Sequence, residues 1–406
     1  MADERPFAGL KVFDASQGVA APHCGFLLAQ HGADVVKMEP LNGDWSRGLG
    51  KAFGEYTAYA LAMNRGKRSI ALDLKTEDGR AIAQKLSAEA DVMLENFRPG
   101  VMARFGLDYK SVKARNPNLV YLSLTGFGQE GPNSSRPATD MVLQAFSGLM
   151  TINRDPSGKP QRISMVAIDV ISGLYAFQAV SAALYKKALQ GKGSHIEMSL
   201  MEAAAALQTG PILEHQLGVG RAEGLGVPIG TFRTKDGFIN INARRDATFA
   251  RFCKLMGREE LIADPRFATP RARIENEAAI LAIIEAETAK RTTAEWDRDL
   301  TEIDILHAPV NDHAAYLADA HVKGAGVVSW VEHDTVGTVP MPKIPGIAAL
   351  ENGDPLAHAP HIGEHTAAIL RGLGYDDNRV ERLAGNGVIR LYDPDAAPAN
   401  AGVVAP

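Results

Sequence analysis

The sequence predicts an α/β fold: a doubly wound parallel sheet with helices on its faces. Two observations carry the prediction. Short apolar segments alternate with segments of helical spacing through the first half of the chain, the pattern of successive βαβ units. The composition, 46% hydrophobic and 22% charged over 406 residues, is that of a globular chain long enough to bury a large core.

The elements follow in order. Leu10–Asp14 reads as a short apolar strand and Cys24–Gln30 as a helix. Gly32–Glu39 is a second strand, ended by Pro40. Arg68–Leu74 is strand-like, Gly79–Ala90 is helical in spacing, and Asp91–Asn96 and Leu119–Thr125 are further strands. Ligands of such sheets bind beyond the carboxyl ends of the strands. Those ends carry Ser16–Val19, Glu39-Pro40, Asn96–Pro99 and Gly126–Gly131. Val170–Gln190 is Ala-rich and apolar on most sides, which predicts a buried helix, and Met198–Gln216 is similar. Gly218–Gly230 reads as a linker, Phe238–Asn242 as a strand, and Glu364–Gly372 as a helix. The expected organisation is a large α/β domain over 1–200, a linker over 201–227, a small domain over 228–325, a return to the large domain over 326–392 and a flexible tail over 393–406.

Charge and cysteine usage exclude several classes. The formal net charge is −5 and the pI about 6.1, which argues against a bulk electrostatic nucleic-acid binder. Two cysteines, Cys24 and Cys253, make no disulfide framework and no zinc spacing. Met1–Pro6 lacks the apolar core of a secretory signal. Val166–Tyr185 is the most apolar long stretch, but Asp169 and Gln178 interrupt it. A cytoplasmic protein is expected, with no membrane or nucleic-acid partner.

Two motifs mislead. Gly126–Gly131 fits G-x-G-x-x-G, yet it runs into Pro132–Pro137 rather than into a helix that could hold a pyrophosphate. A sharp loop near some ligand is the better reading. His361–His365 fits the H-x-x-E-H zinc pattern, but Pro360 and Gly363 oppose the stable helix that pattern requires. A helix start with Glu364 as its first-turn acid is expected instead, and no metal.

Asp169 stands out. It interrupts Ser164–Gly173, and an acid in so apolar a run must be desolvated, paired or placed at a helix end. One reading is an N-cap aspartate. The other is a nucleophilic carboxylate, since Asp forms covalent acyl intermediates. Both hold together if the helix N-terminus keeps the acid ionised and aims it.

The chain resembles the class III CoA-transferases, the formyl-CoA transferase and carnitine CoA-transferase (CaiB/BaiF) family, from about Leu10 to Ile389. The segments that carry the resemblance are Gly32–Glu39, Asn64–Thr76, Glu95–Gly100, Gly126–Pro132, Arg136–Asp140 and Gly363–Thr366, in that order. The resemblance implies a large domain made from both chain ends, a smaller inserted domain and an interlocked-ring homodimer. It implies that Asp169 is the catalytic nucleophile, passing through a mixed anhydride and an aspartyl-CoA thioester. A coenzyme A thioester is then a substrate, and no permanently bound cofactor is expected. Ala20, Leu72, Lys75 and Asn96, with Phe97, Arg98, Arg104 and Arg136, match the family's CoA contacts. Val19, Gly48 and Tyr59 fall on or near its acyl-site positions, and Arg47 and Thr139 are added as substrate-site candidates.

The chain also departs from the formyl-CoA branch. Val19 replaces a glutamine, Gly48 a tryptophan, and the small-domain glycine run is missing. These departures imply a roomier acyl pocket. Arg47 and the pair Arg244-Arg245 are candidates for the far carboxylate of a dicarboxylic acid. The expected reaction moves CoA from an acyl-CoA such as succinyl-CoA to a carboxylic acid, a dicarboxylate by this reading. Two alternatives stand beside it. A 2-methylacyl-CoA racemase needs two opposed proton carriers, and Thr139 stands where that branch has a histidine. A non-catalytic CoA-binding protein would have no need of Asp169.

Overall fold

The computed structural model describes residues 5–155, 157–218 and 226–395. They form two compact units, one of residues up to 209 together with those from 326 onward, the other of residues 210–325.

The first unit is organised by a seven-stranded sheet. Its strands are β1 (Lys11–Asp14), β2 (Asp34–Glu39), β3 (Arg68–Leu72), β4 (Val92–Glu95), β5 (Val120–Thr125), β6 (Ser194–Ser199) and the late strand β12 (Ile389–Arg390). The order is β12-β3-β2-β1-β4-β5-β6, parallel except for β12 against β3. The order reverses direction at β1, and β1 and β4 are the pair between which an open sheet of this kind leaves a crevice. β6 was not read from the sequence. Its segment Ser194–Ser199 mixes polar and apolar residues, with half-buried positions suited to an edge.

Helices cover both faces: α1 (Ala20–Gln30), α2 (Ala58–Asn64), α3 (Glu77–Glu89), α4 (Tyr109–Arg115), α5 (Asp140–Phe146), α6 (Leu149–Ile152), α7 (Ala167–Gln190) and α8 (Leu200–Leu207). α9 (Thr209–Gln216) falls at the division between the units. Every residue of α1 is buried, as expected of a helix apolar all round. One face of the sheet packs a cluster around Phe13, Ile70, Ile82 and Met93; the other packs α1, Leu94, Leu122, Ile168 and Val180.

α7 corrects an expectation. Its buried residues form one stripe, Ile168, Ser172, Gly173, Ala176, Val180 and Ala183. Leu174, Tyr185 and Leu189 are exposed instead. The helix turns one face to α1 and the sheet, and part of its opposite side stays exposed among the described residues.

Met198–Gln216, expected as one buried helix running into the linker, forms the two helices α8 and α9, and α9 has no buried residue. Residues 219–225 of that linker and 396–406 of the expected tail lie outside the described residues.

The second unit holds a three-stranded antiparallel sheet, β7 (Ile229–Arg233), β8 (Phe238–Asn242) and β9 (Leu306–Pro309). Helices α10 (Asp246–Leu255), α11 (Glu260–Ala263), α12 (Pro270–Glu275), α13 (Glu277–Thr288), α14 (Thr293–Glu302), α15 (His313–Ala318) and α16 (Ala320–Gly324) complete it. Its own core gathers Phe232, Phe252, Phe267 and Trp296. The chain returns to the first unit through the hairpin β10 (Val328–His333) and β11 (Gly337–Pro342), then α17 (Thr366–Gly372) and α18 (Asp377–Gly385).

Glu364 does not act as a first-turn acid. α17 begins two residues later, and the Glu364 carboxylate accepts the backbone N–H of His361 at 2.8 Å and faces Nε2 of His358 at 2.9 Å. With φ of 72° at Gly363, the chain turns sharply there, so the acid folds back onto the loop before it.

Buried charges fix the loop after β1. Nζ of Lys67 donates to Asp14 at 2.8 Å, and both side chains are fully buried. Nζ of Lys37 pairs with Asp44 at 2.9 Å and also donates to the carbonyl of Ser16. Arg47 pairs with Glu39 through two nitrogens, at 2.7 and 2.8 Å. Burial works against the ionised form of Asp14, but Lys67 and Lys37 together hold its carboxyl below the usual range. Lys67→Met should therefore cost about 3–5 kcal/mol, because it strands the Asp14 charge inside the protein. Chemical denaturation measures this. A loss under about 1 kcal/mol, the ceiling for an exposed pair, would show that the ion pair does not hold this loop.

Candidate active site

A cavity of about 350 Å³ opens beyond the carboxyl ends of β1, β4 and β5. The loop after β1 contributes Gln17, Val19 and Ala20, the loop after β4 contributes Asn96–Pro99, and the end of β5 contributes Leu124–Gly126. Ser134, Arg136, Ala138 and Thr139 enter from the segment before α5, Trp45 from the turn after β2, and Asp169 from the first turn of α7.

Two hydrogen bonds lock the first two loops together. The backbone N–H of Gln17 donates to Oδ1 of Asn96 at 2.8 Å, and Nδ2 of Asn96 donates to the Gln17 carbonyl at 2.7 Å. Gly18 donates its N–H to the Asp44 carboxylate at 2.9 Å. The buried Lys37–Asp44 pair thus reaches the cavity wall through one backbone amide. α1 starts at Ala20 with no side-chain cap and no acid in its first turn. Val19 and Ala20 line the cavity, so this helix N-terminus presents its partial positive charge near Asp169.

Asp169 is not an N-cap. The cap position of α7 is Val166, which has no capping side chain. The cap comes from another helix: Oδ2 of Asp140 accepts the N–H of Ile168 at 2.6 Å and of Asp169 at 3.1 Å. Gln144 holds Asp140 in place by donating to its other oxygen at 2.6 Å, and also bonds the carbonyls of Ile163 and Met165. The Asp169 carboxylate itself accepts no hydrogen bond among the described residues. Burial, and then the Asp140 charge, push its pKa up to about 7. The expectation that the helix terminus keeps this acid ionised is overturned. Asp140 already occupies the N–H groups of Ile168 and Asp169, and its own negative charge opposes a second one.

The structure brings together Val19, Ala20, Asn96, Phe97, Arg98, Arg136, Thr139 and Asp169 around this cavity. The other expected residues lie elsewhere. The Leu72 side chain is in the core, and Lys75 and Arg104 are exposed away from the cavity. Tyr59 is half-buried and Gly48 exposed, and neither lines it. Arg47 is corrected outright. It is 2% exposed, its guanidinium is taken by Glu39 and by the carbonyl of Pro360, and nothing remains to bind a substrate carboxylate. Arg244 and Arg245 belong to the second unit.

Gly126–Gly131 forms a loop, with no helix until Asp140. A Cβ on Gly126 would collide with that of Ala138, so glycine lets the two segments of the cavity wall touch. Sequence reasoning missed the capping role of Asp140 and the place of Trp45. Thr139-Asp140 opening a helix with Gln144 one turn on was a usable signal for the first. Gly43-Asp44-Trp45 just past a strand end was one for the second.

The arrangement can do one kind of chemistry. An unbonded carboxylate faces a pocket with a helix N-terminus beside it and arginines at its exposed edge. That suits attack on a carbonyl carried by a large anionic substrate.

The model of CoA-transferase family III matches residues 7–366. The succinyl-CoA:glutarate CoA-transferase of Mus musculus is 33% identical over 401 residues, covering 96% of this chain and 91% of that protein. The succinate–glutarate CoA-transferase of Agrobacterium fabrum is 35% identical over 403 residues, covering 93% and 97%. Among solved structures, a CAIB/BAIF family protein from Brucella suis superposes with a TM-score of 0.81 at 35% identity, covering 91% of this chain and 99% of that one.

Proposed function

This chain belongs to CoA-transferase family III, and from that premise we propose that it moves CoA between succinyl-CoA and a second dicarboxylic acid, with Asp169 as the covalent relay. The observation that carries the reading is the Asp169 carboxylate, which has no hydrogen-bond partner among the described residues and lines the cavity. The relatives named for succinate and glutarate supply the substrate class.

In this mechanism a carboxylate oxygen of Asp169 attacks the thioester carbonyl. The CoA thiolate leaves and a mixed anhydride remains. The thiolate then attacks the aspartyl carbonyl, releasing the donor acid and leaving Asp169 as a CoA thioester. The acceptor carboxylate attacks that thioester, expels the thiolate again and forms a second anhydride. The thiolate takes the new acyl group, and the Asp169 carboxylate is restored. Oxyanions formed along the way gain from the uncapped N-terminus of α1. Arg98 and Arg136 are placed by this reading on the CoA phosphates, with Phe97 against the adenine or pantetheine.

The large domain assembled from both chain ends would hold CoA. The exposed apolar residues Met141, Phe146, Leu174 and Tyr185 favour a homodimer, as an interlocked pair of rings would cover them. The working compartment in this proposal is the cytoplasm, where acyl-CoA and free acids coexist. No metal or resident cofactor enters any step.

Mass spectrometry tests the reading. Mixed with succinyl-CoA, the enzyme should gain one CoA on the peptide containing Asp169. Glutarate or another dicarboxylate should discharge it faster than a monocarboxylate of equal length. An adduct that only monocarboxylates discharge would remove the substrate class and leave the relay standing.

A further inference from the structure

The proposed CoA transfer does not say what sets the size of the acid that can be used, and the turn after β2 in the cavity wall bears on this. Trp45 opens a short 3-10 turn, Trp45–Gly48, whose cap is Asp44. The Asp44 carboxylate accepts the N–H of Ser46 at 2.9 Å and also that of Gly18 at 2.9 Å. One buried carboxylate therefore ties the base of Trp45 to the loop that carries Val19. The indole lies against Gly18, whose φ is 82°. A Cβ at that position would collide with the ring, and atom Cε2 would stand only 2.8 Å from it. Glycine is required here twice, for the backbone angle and for the seat of the ring.

The ring is held but not buried. Trp45 is 39% exposed, and it lines the same cavity as Val19 and Asp169. Trp45 and Phe97 are the two aromatic side chains among the lining residues. Phe97 sits next to Asn96 and Arg98, on the side given to CoA above. Trp45 lies against Gly18, the residue before Val19 on the loop that leads into α1. A large apolar side chain exposed to a cavity, with its backbone pinned by a buried ion pair, is built as a wall and not as core packing.

We propose that Trp45, seated on Gly18 and fixed through Asp44, is the wall that limits the length of the acyl group the site accepts. The proposal rests on the CoA-transfer reading above. One methylene in an apolar pocket changes discrimination by about 10- to 200-fold, so a rigid ring at the end of the acyl space is enough to separate acids that differ by one or two carbons.

The test is a kcat/KM series for Trp45→Ala and Trp45→Leu, with one CoA donor and linear dicarboxylates of four to eight carbons as acceptors, repeated with monocarboxylates. In the variants the preference should move toward longer acids, with the ratio of the longest to the shortest rising at least about tenfold. The change should appear in the KM of the long acids, while the amount of CoA adduct trapped on Asp169 is unchanged. A uniform loss across both series, with ratios constant within twofold, would overturn the proposal and leave Trp45 a structural residue. The leucine variant keeps a large apolar side chain at the turn, so a folding defect confined to the alanine variant does not obscure the result. If the wild-type enzyme ignores every dicarboxylate, the substrate reading fails, and the monocarboxylate series still decides the role of Trp45.

Discussion

Asp169→Ala is expected to reduce CoA exchange by at least about 10³-fold, since in the proposed mechanism every covalent step passes through that carboxylate. The fold should survive. The side chain accepts no hydrogen bond among the described residues and faces a cavity, so removing it leaves no buried partner unsatisfied. Its backbone N–H still bonds to Asp140. Asp169→Asn should be nearly as inactive, because the neutral amide is a poor nucleophile at the same position. Steady-state exchange, thermal unfolding and CoA binding are the three measurements. Inactivity with normal unfolding and normal CoA affinity is the expected pattern. Substantial activity in the alanine variant would remove Asp169 from the mechanism.

The second large effect is on pH dependence. The proposed nucleophile is the ionised form of Asp169, and burial together with Asp140 pushes its pKa up to about 7. Activity is therefore present above that pH and lost as pH falls through it, by roughly a hundredfold between pH 8 and pH 5 for a single titrating base. Asp140→Asn removes the opposing charge while keeping an oxygen that can accept the two N–H bonds of α7. The acidic limb should then move to lower pH. Glu95 provides the control, because burial also pushes it up to about 7. It accepts the N–H of Phe97 at 2.9 Å and does not line the cavity. Glu95→Gln should leave the limb where it is. A limb that follows Glu95 and ignores Asp140 would mean that the rate reports the order of the CoA loop and not the ionisation of the nucleophile.

Residues 7–366 match one family model, and the sheet and its crossover helices were readable from the alternation of short apolar runs with helical spacing. That reading works because hydrophobic period is a local property. β6 escaped it, since an edge strand needs no continuous apolar run. Asp169 was readable as a residue out of place, an acid in an apolar stretch. The wrong part was its electrostatics. Sequence put the acid at a helix start and therefore expected it to ionise easily. The sign was reversed by Asp140, 29 positions earlier, which took the helix N–H groups and added its own charge.

Arg47 and Trp45 are separated by one residue, and only the fold assigns them. A sequence shows two side chains able to serve a substrate, the guanidinium by its charge and the indole by its size. Folding turned Arg47 inward onto Glu39 and left Trp45 facing the cavity. Residues two apart in a tight turn point in different directions, and which one finds a partner depends on atoms brought from Pro360 and β2. The amino-acid order thus determined the architecture and the family and singled out Asp169 as the candidate relay, because these rest on local periodicity and on blocks of sequence. Tertiary structure alone decided that acid's ionisation, which arginine is consumed in the core and which side chain bounds the pocket. These are contests between groups far apart in the chain, settled by burial and distance.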